Sequence, residues 1–258
     1  MKPFWKNSAE LAGRLAGGRL LVTLDFDGTL AALAETPRQA RLKPEFRAAL
    51  VELAASPGVS VFILSGRELK NVRRLAGLKN LYYGGNHGIE ISGPGFSWRD
   101  AEAARARRLV RALAADLRER FPEGTGVLVE DKTFSASVHY RALKPQYKNG
   151  FFSRMKALRS PGEPGLAWRR GHKVFEVLPR GASHKGTAAG RLAKELGATL
   201  ALAVGDDLTD EDMFREFARR GITVRVGRRS ASKAQFFIEK QAEVLRLLRF
   251  IAASRRHE

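Results

Sequence analysis

Short apolar runs and amphipathic stretches alternate along the chain. Arg19–Leu24 (RLLVTL), Val59–Leu64 (VSVFIL) and Thr199–Val204 (TLALAV) each have the length and content of a buried strand. Between the first two, Pro44–Ala55 carries Phe46, Leu50 and Leu53 near helical spacing, and Glu68–Leu75 reads as a further helix. Asn80–Tyr83 is predicted as a short strand ended by Gly84–Gly85. This order of strand and helix predicts a parallel sheet with helices on its faces.

The pattern changes in the middle of the chain. Ala101–Phe121 predicts a long helix with Leu109, Leu113 and Leu117 on one stripe and many arginines elsewhere. Val127–Glu130 and Thr133–Arg141 follow as two strands close in sequence. In the second, Phe134, Ala136, Val138 and Tyr140 alternate with Ser135, Ser137, His139 and Arg141, which is the period of a strand with one apolar and one polar face. A helix over Pro145–Ser160 and a strand pair over Leu166–Arg169 and Lys173–Leu178 complete a module read as α+β with an antiparallel sheet. The earlier pattern then resumes: helix Lys185–Leu196, strand Thr199–Val204, helix Asp210–Arg219, strand Ile222–Val226 and helix Glu239–Ala252. The expected fold is therefore α/β, a Rossmann-like parallel-sheet core split by an inserted α+β cap. The expected domains are core 1–97, cap 98–182 and core 183–258.

Composition narrows the setting. The 258 residues are 44% hydrophobic and 28% charged, ordinary for a globular protein. There is no cysteine, so disulfides and thiolate metal sites are excluded. The first twenty residues hold no continuous apolar stretch of the kind a secretory signal or membrane span needs, so a cytoplasmic protein without membrane contact is expected, as a monomer. Lys and Arg number 46 against 27 Asp and Glu, a formal charge of +19 that draws anions to the surface. Phosphorylated substrates and nucleic acids would both benefit. The excess is scattered, however, aromatics are only 9%, and no strand interleaves basic and aromatic residues, so nucleic acid is not an expected partner.

The chemistry gathers where buried strands end. Asp25-Phe26-Asp27-Gly28-Thr29 directly follows the first one. Two carboxylates at i and i+2 point the same way on extended chain, at the carboxyl end of a parallel strand where open sheets bind ligands. Carboxylate oxygens suit a hard Mg²⁺ ion. By itself this could be a solvated Asp-Gly turn; what recurs downstream argues otherwise. Ser65-Gly66-Arg67 ends the second strand, with a hydroxyl and N–H groups able to hold a phosphate oxygen, although Ser is also a good helix cap. Asp206 and Asp207 end a third, where unpaired carboxylates are costly unless a cation or donors compensate. Asp210 reads equally as a cap for the next helix, with Glu211 and Asp212 favouring its start; Asp206 is the better ligand candidate. Lys185 opens a helix just after the cap and would bring a cation to the same place.

DFDGT, SGR, the Lys after the cap and GDD-x-x-D together resemble the haloacid dehalogenase-like phosphatases (HAD-like). GGNHGIE at 84–90, VEDKTFSASVHYR at 129–141 and VGDDLTDEDMF at 204–214 are similar, more narrowly, to the trehalose-6-phosphate phosphatases, in the right order over nearly the whole chain. The resemblance implies a phosphoric monoester hydrolase of trehalose biosynthesis. Asp25 would be the nucleophile and Asp27 the general acid and base. Asp25, the Asp27 carbonyl and Asp206 would hold Mg²⁺, with Asp207 in support. Ser65 and Lys185 would hold the phosphoryl oxygens, beside Gly66 and Arg67 of the same SGR loop. Asn86 and His87 on the core, with Glu130, Lys132, His139, Arg141 and Glu176 on the cap, would bind the sugar. Glu176 stands out independently, because a carboxylate inside an apolar strand (VFEVLP) is expensive unless matched. The sequence departs from many members at Leu178, where they carry Arg or Lys, and from some at His184, where they carry Asp. Those departures spare the catalytic motifs and leave related substrates open: sucrose phosphate, mannosyl phosphoglycerate or glucosylglycerol phosphate.

Overall fold

The computed structural model describes residues 1–34, 39–122, 124–159, 165–171 and 173–256. The chain divides into two compact units, Met1–Trp98 with His184–Glu258, and Arg99–Ser183.

The first unit is built on a nine-stranded sheet. Its strands are β1 (Lys2–Pro3), β2 (Leu20–Leu24), β3 (Val59–Leu64), β4 (Tyr82–Gly85), β5 (Glu90–Gly93), β6 (Phe96–Arg99), β11 (Leu200–Gly205), β12 (Gly221–Val226) and β13 (Phe236–Ile238), and their order is β1-β13-β12-β11-β2-β3-β4-β5-β6. The pairs from β1 through β4 are all parallel; β5 runs antiparallel to β4. Helices α1 (Ser8–Ala16), α2 (Pro44–Ala54), α3 (Leu69–Ala76) and α8 (Glu243–Ser254) carry the apolar cluster on one face. Helices α6 (Lys185–Glu195) and α7 (Glu211–Phe217) carry the cluster on the other. In β2, Leu20, Val22 and Leu24 join the first cluster and Leu21 the second, which is why that strand is apolar at every position but Thr23. Its neighbours are β11 and β3, so the connections turn in opposite directions on its two sides. The switch point sets the carboxyl ends of β2, β3 and β11 side by side, where open parallel sheets bind their ligands.

The second unit packs α4 (Ala101–Arg120) and α5 (Lys148–Arg159) with an antiparallel sheet of β7 (Leu128–Asp131), β8 (Ala136–His139), β9 (Leu166–Gly171) and β10 (Val174–Pro179), in the order β7-β8-β10-β9. The register sets Val129, Val138 and Phe175 side by side, and all three join the apolar cluster with Leu117, Phe151 and Met155. Alternation then places Glu130, Ser137, Glu176 and Arg169 in a row on the opposite face.

Several expected elements shift for identifiable reasons. The stripe of α4 is Ala103, Val110, Ala114 and Leu117, while Leu109 is exposed. Small alanines take buried positions there that a search for leucines passes over. The strand near Tyr82 continues through Gly84 and Gly85, because the register pairs Leu64 with Gly84 and Ser65 donates to the Gly84 carbonyl. Strand β8 starts only at Ala136, since Thr133 has φ +70° and Lys132–Ser135 form a turn. The expected helix at Pro145 opens as a single 3₁₀ turn before α5, and its predicted end at Ser160 lies outside the described residues. Short elements such as β1, β13 and the β5–β6 extension have too few residues to show a period.

Candidate active site

Asp25 leaves β2 with its N–H still bonded to Val204 O of β11 (3.0 Å). The chain then turns tightly: Leu30 and Ala31 both donate to the Phe26 carbonyl, and Gly28 donates to Ala31 O. Gly28 has φ +90°, and a Cβ there would overlap the Asp206 carboxylate, so only glycine admits both the turn and the approach of the β11 loop. Thr29 Oγ1 donates to Asp206 Oδ1 at 3.1 Å. Gln241 Nε2, far along the sequence, holds the Thr29 and Leu30 carbonyls at 2.9 and 3.2 Å.

These constraints gather three carboxylates. Among the described residues, Asp25, Asp206 and Asp210 bring ligand oxygens within 4.8 Å of one another. Asp210, which the sequence also offers as a helix cap, is wholly buried. One of its oxygens accepts from the N–H groups of Asp206 and Asp207, both at 2.9 Å. The other accepts from Lys185 Nζ at 2.7 Å, and the same ammonium donates to Asp25 Oδ1 at 2.5 Å. Lys185 is buried at the first turn of α6, so it is the counter-charge inside the cluster. The half-buried Asp207 is not one of the clustered residues.

The electrostatics follow from this crowding. Burial pushes the Asp25 carboxyl up, Asp210 and Asp206 push the same way, and Lys185 opposes them. Burial and then Asp210 raise Asp206 to about 7. Burial would lower the Lys185 ammonium, but Asp210 and Asp25 outweigh it and hold it well above the ordinary lysine value. Three carboxylates against one ammonium leave the pocket two charges short of neutral when all are ionised. A divalent cation supplies that charge, and an all-oxygen donor set suits a hard one.

The SGR loop lies alongside. Arg67 grips Asp27 with two parallel bonds, Nε to Oδ2 and Nη2 to Oδ1, each 2.6 Å. Such a fork fixes the plane of the carboxylate as well as its charge. Ser65 is buried, its Oγ accepts from the Arg67 N–H, and Gly66 sits between them. Asn86 and His87 both adopt left-handed backbone, φ 50° and 59°, a conformation sparsely populated outside glycine and common at functional loops. Asn86 N–H donates to Arg67 O and His87 N–H to Ser65 O, so this second loop is tied to the first.

On the polar face of the second unit, Lys132 Nζ lies 3.3 Å from Glu176 Oε1 and 4.0 Å from Glu130 Oε2. Ser137 Oγ donates to the same Glu176 oxygen, and His139 Nε2 lies 3.1 Å from Glu130 Oε2. Arg141 is in the turn beyond β8. The carboxylate inside VFEVLP is thus matched by a lysine and a hydroxyl.

The sequence-based expectations give no site role to Thr29, Arg225 or Gln241, and place Asp210 and Glu211 only at the start of the next helix. Arg225 carried a usable signal: like Glu176, it is a charge inside a buried strand (ITVRV). Gln241 carried none, because its partners are backbone carbonyls.

Residues 23–242 match the family model described as Trehalose-phosphatase. The chain is 34% identical over 237 residues to the trehalose-phosphate phosphatase of Mycobacterium ulcerans, covering 88% of this chain and 60% of that protein. It spans about three fifths of the length of the curated trehalose-phosphate phosphatases it matches. The C-terminal domain of Candida albicans trehalose-6-phosphate phosphatase superposes with a TM-score of 0.80 at 24% identity, over 96% of this chain and 97% of that one. A haloacid dehalogenase-like hydrolase from B. subtilis superposes with a TM-score of 0.57 at 19% identity, over 89% and 98% of the two chains, so the fold is haloacid dehalogenase-like. Among the described residues no helix is long and apolar enough to cross a membrane. The family match begins within β2 and runs past the β11 loop, taking in every strand end that builds the acidic pocket, and the chain belongs to the trehalose-phosphatase family.

Proposed function

We infer that the chain hydrolyses trehalose 6-phosphate to trehalose and inorganic phosphate, with Asp25 as nucleophile. The observation that carries this reading is the cluster of Asp25, Asp206 and Asp210, of which buried Asp25 and Asp210 share the buried Lys185 ammonium, at the switch point of a trehalose-phosphatase fold. Asp25 attacks phosphorus and forms an aspartyl-phosphate. The sugar oxygen departs with a proton from Asp27, which Arg67 holds in a fixed plane. A water then attacks the aspartyl-phosphate, Asp27 takes its proton, and phosphate leaves with Asp25 restored. Lys185 and the Ser65 loop hold the phosphoryl oxygens in place.

Asp25 and Asp206, with the Asp27 carbonyl and the support of Asp207 and Asp210, would hold Mg²⁺. Bound there, the ion would offset the charge on the phosphoryl oxygens and orient them. Asn86 and His87 from the first unit and Glu130, Lys132, His139, Arg141 and Glu176 from the second would recognise the sugar, because a site built to pair hydroxyls rejects sugars that leave its polar groups unmatched. The cysteine-free composition supports a cytoplasmic setting, and we place the reaction in a monomer.

The test is phosphate release from a panel of sugar phosphates, with Mg²⁺ and with chelator, beside Asp25→Asn. Preference for trehalose 6-phosphate, lost with chelator and in the variant, is the expected result. Preference for sucrose phosphate or another glycosyl phosphate would move the error to the sugar contacts, where Leu178 stands in place of a basic residue. Release that is independent of Asp25 and metal would overturn the mechanism.

A further inference from the structure

Strand β12 is apolar on both faces except at Thr223 and Arg225, and both are buried. Register pairs Arg225 with Gly205, the last residue of β11, so its side chain emerges beside the turn that carries Asp206 and Asp207. There Nη2 donates to the Asp206 carbonyl and Nη1 to the Asp207 carbonyl at 3.3 Å. Nη1 also meets Glu211 Oε1 at 3.0 Å, while the other Glu211 oxygen accepts from the Lys233 N–H at 2.7 Å. Glu211 is thereby fixed on two sides and fixes the guanidinium in turn.

A buried ion pair is weak evidence for stability, since apolar residues of similar volume do as well or better. What an apolar residue cannot do is donate to two consecutive carbonyls. Asp210 already holds the two N–H groups of the same turn. Carbonyls and amides together fix the peptide planes on both sides of Asp206, and with them the direction of its side chain. Thr29 sets the last rotation by donating to Asp206 Oδ1.

We propose that Arg225 is a positioning residue for the divalent-cation site: its grip on the Asp206 and Asp207 carbonyls, braced by Glu211, aims the Asp206 carboxylate into the cluster with Asp25 and Asp210. The proposal rests on the metal-dependent reading above but not on the identity of the sugar. Support of this kind typically changes metal affinity or activity by about 10–100-fold when removed.

The experiment titrates Mg²⁺ by calorimetry and Mn²⁺ by electron paramagnetic resonance into the wild type, Arg225→Met, Arg225→Lys and the double variant Arg225→Met/Glu211→Met. Circular dichroism and melting are measured on each. Arg225→Met should bind both ions about 10–100-fold more weakly, and Arg225→Lys should recover part of the loss, because one ammonium reaches one carbonyl and keeps the charge. The metal concentration for half-maximal phosphate release should rise in parallel, while KM for sugar phosphate at saturating metal stays within about twofold. If Arg225→Met fails to fold, the double variant carries the test, since it leaves no carboxylate unpaired. A folded double variant with wild-type metal affinity would overturn the proposal, as would a wild type that binds neither ion. A wild type that binds metal yet ignores trehalose 6-phosphate would sink the substrate reading and leave the Arg225 measurement intact.

Discussion

The charged groups of the first unit and those of the second are held by different means. In the first, Asp25, Asp206 and Asp210 come from turns just past strand ends, and backbone N–H groups, a threonine and one lysine fix them. In the second, Glu130, Ser137 and Glu176 project from mid-strand, so neighbouring strands bring them together and no turn does. Burial is complete at the centre of the first group and graded along the second. The Asp25 and Asp210 side chains are 6% and 0% exposed, whereas along the strand face exposure rises from 9% at Glu176 to 31% at Glu130. Strand ends at a switch point make a rigid, low-dielectric pocket suited to moving charge. A strand face makes a row whose members can change one at a time, which suits selection among sugars.

The sharpest way to break this comparison is to remove Lys185, the ammonium that pairs with both Asp25 and Asp210. Lys185→Met leaves two buried carboxylates without a counter-charge, and breaking a buried pair in this way costs about 3–5 kcal/mol. We expect phosphate release to vanish and the unfolding free energy of the first unit, read from urea denaturation, to fall by an amount of that order. Added Mg²⁺ should restore part of the stability but not the activity. A variant as stable as the wild type in chelator would show that the carboxylates are protonated or solvated, and that the pocket is not held by charge.

The same contrast explains what could be read from the sequence. Strand-end motifs are contiguous, so DFDGT, SGR and GDD-x-x-D announce the site before any strand is paired. The parallel core is legible for a related reason: strands covered on both faces read as near-continuous apolar runs, as β2 and β3 do with one hydroxyl residue each. The strand-face row is legible only in part. Alternation in 133–141 separates the two faces, but which residue stands beside Glu176 depends on register, and Arg169 enters the row only once β9 is paired with β10. Residues that act on backbone, such as Arg225 and Gln241, leave little trace, because a carbonyl partner has no sequence identity.

A milder change tests the strand-face half of the comparison. Glu176→Gln keeps the size of the side chain and removes its charge. A hydrogen bond to a charged group is worth about 1.5–3 kcal/mol, so kcat/KM for trehalose 6-phosphate should fall about 10–100-fold, carried mainly by KM. Under the same assay Asp25→Asn should lose kcat. If Glu176→Gln lowered kcat and left KM alone, the row would belong to the chemistry and the division of labour drawn here would fail.

Thr29→Val sits between the two cases. It deletes one bond to the Asp206 carboxylate and keeps the shape of the side chain. The expected cost is about 1.5–3 kcal/mol, with a rise in the Mg²⁺ requirement and no change in sugar preference. A change in preference among sugar phosphates would mean that the two regions are coupled more closely than their separate construction indicates.

The smallest effect concerns how the second unit is closed. Asp100 caps α4 by accepting from the Ala103 N–H at 3.1 Å, and its other oxygen accepts from the Ser183 N–H at 2.9 Å. One carboxylate therefore ties together the two ends of the 99–183 segment. Burial pushes its carboxyl up, but the Ala103 and Ser183 donors outweigh burial and hold it below the ordinary 3.8. A depressed folded-state value means that the ionised form is the stabilising one. Its contribution is complete above the unfolded-state value and is lost as pH falls through the folded-state value. Asp100→Ala should cost about 1 kcal/mol at neutral pH, read from urea unfolding and from faster hydrogen exchange at the start of α4. That gap should narrow as the pH is taken below the ordinary carboxyl value of 3.8 and on through the lower folded-state value, where the wild type loses its charge. Asp100→Asn separates the two bonds, because an amide offers one acceptor oxygen: it should keep the cap on Ala103 and release Ser183. A gap that stayed constant down to acid pH would assign the effect to side-chain shape and remove charge from the account of this unit.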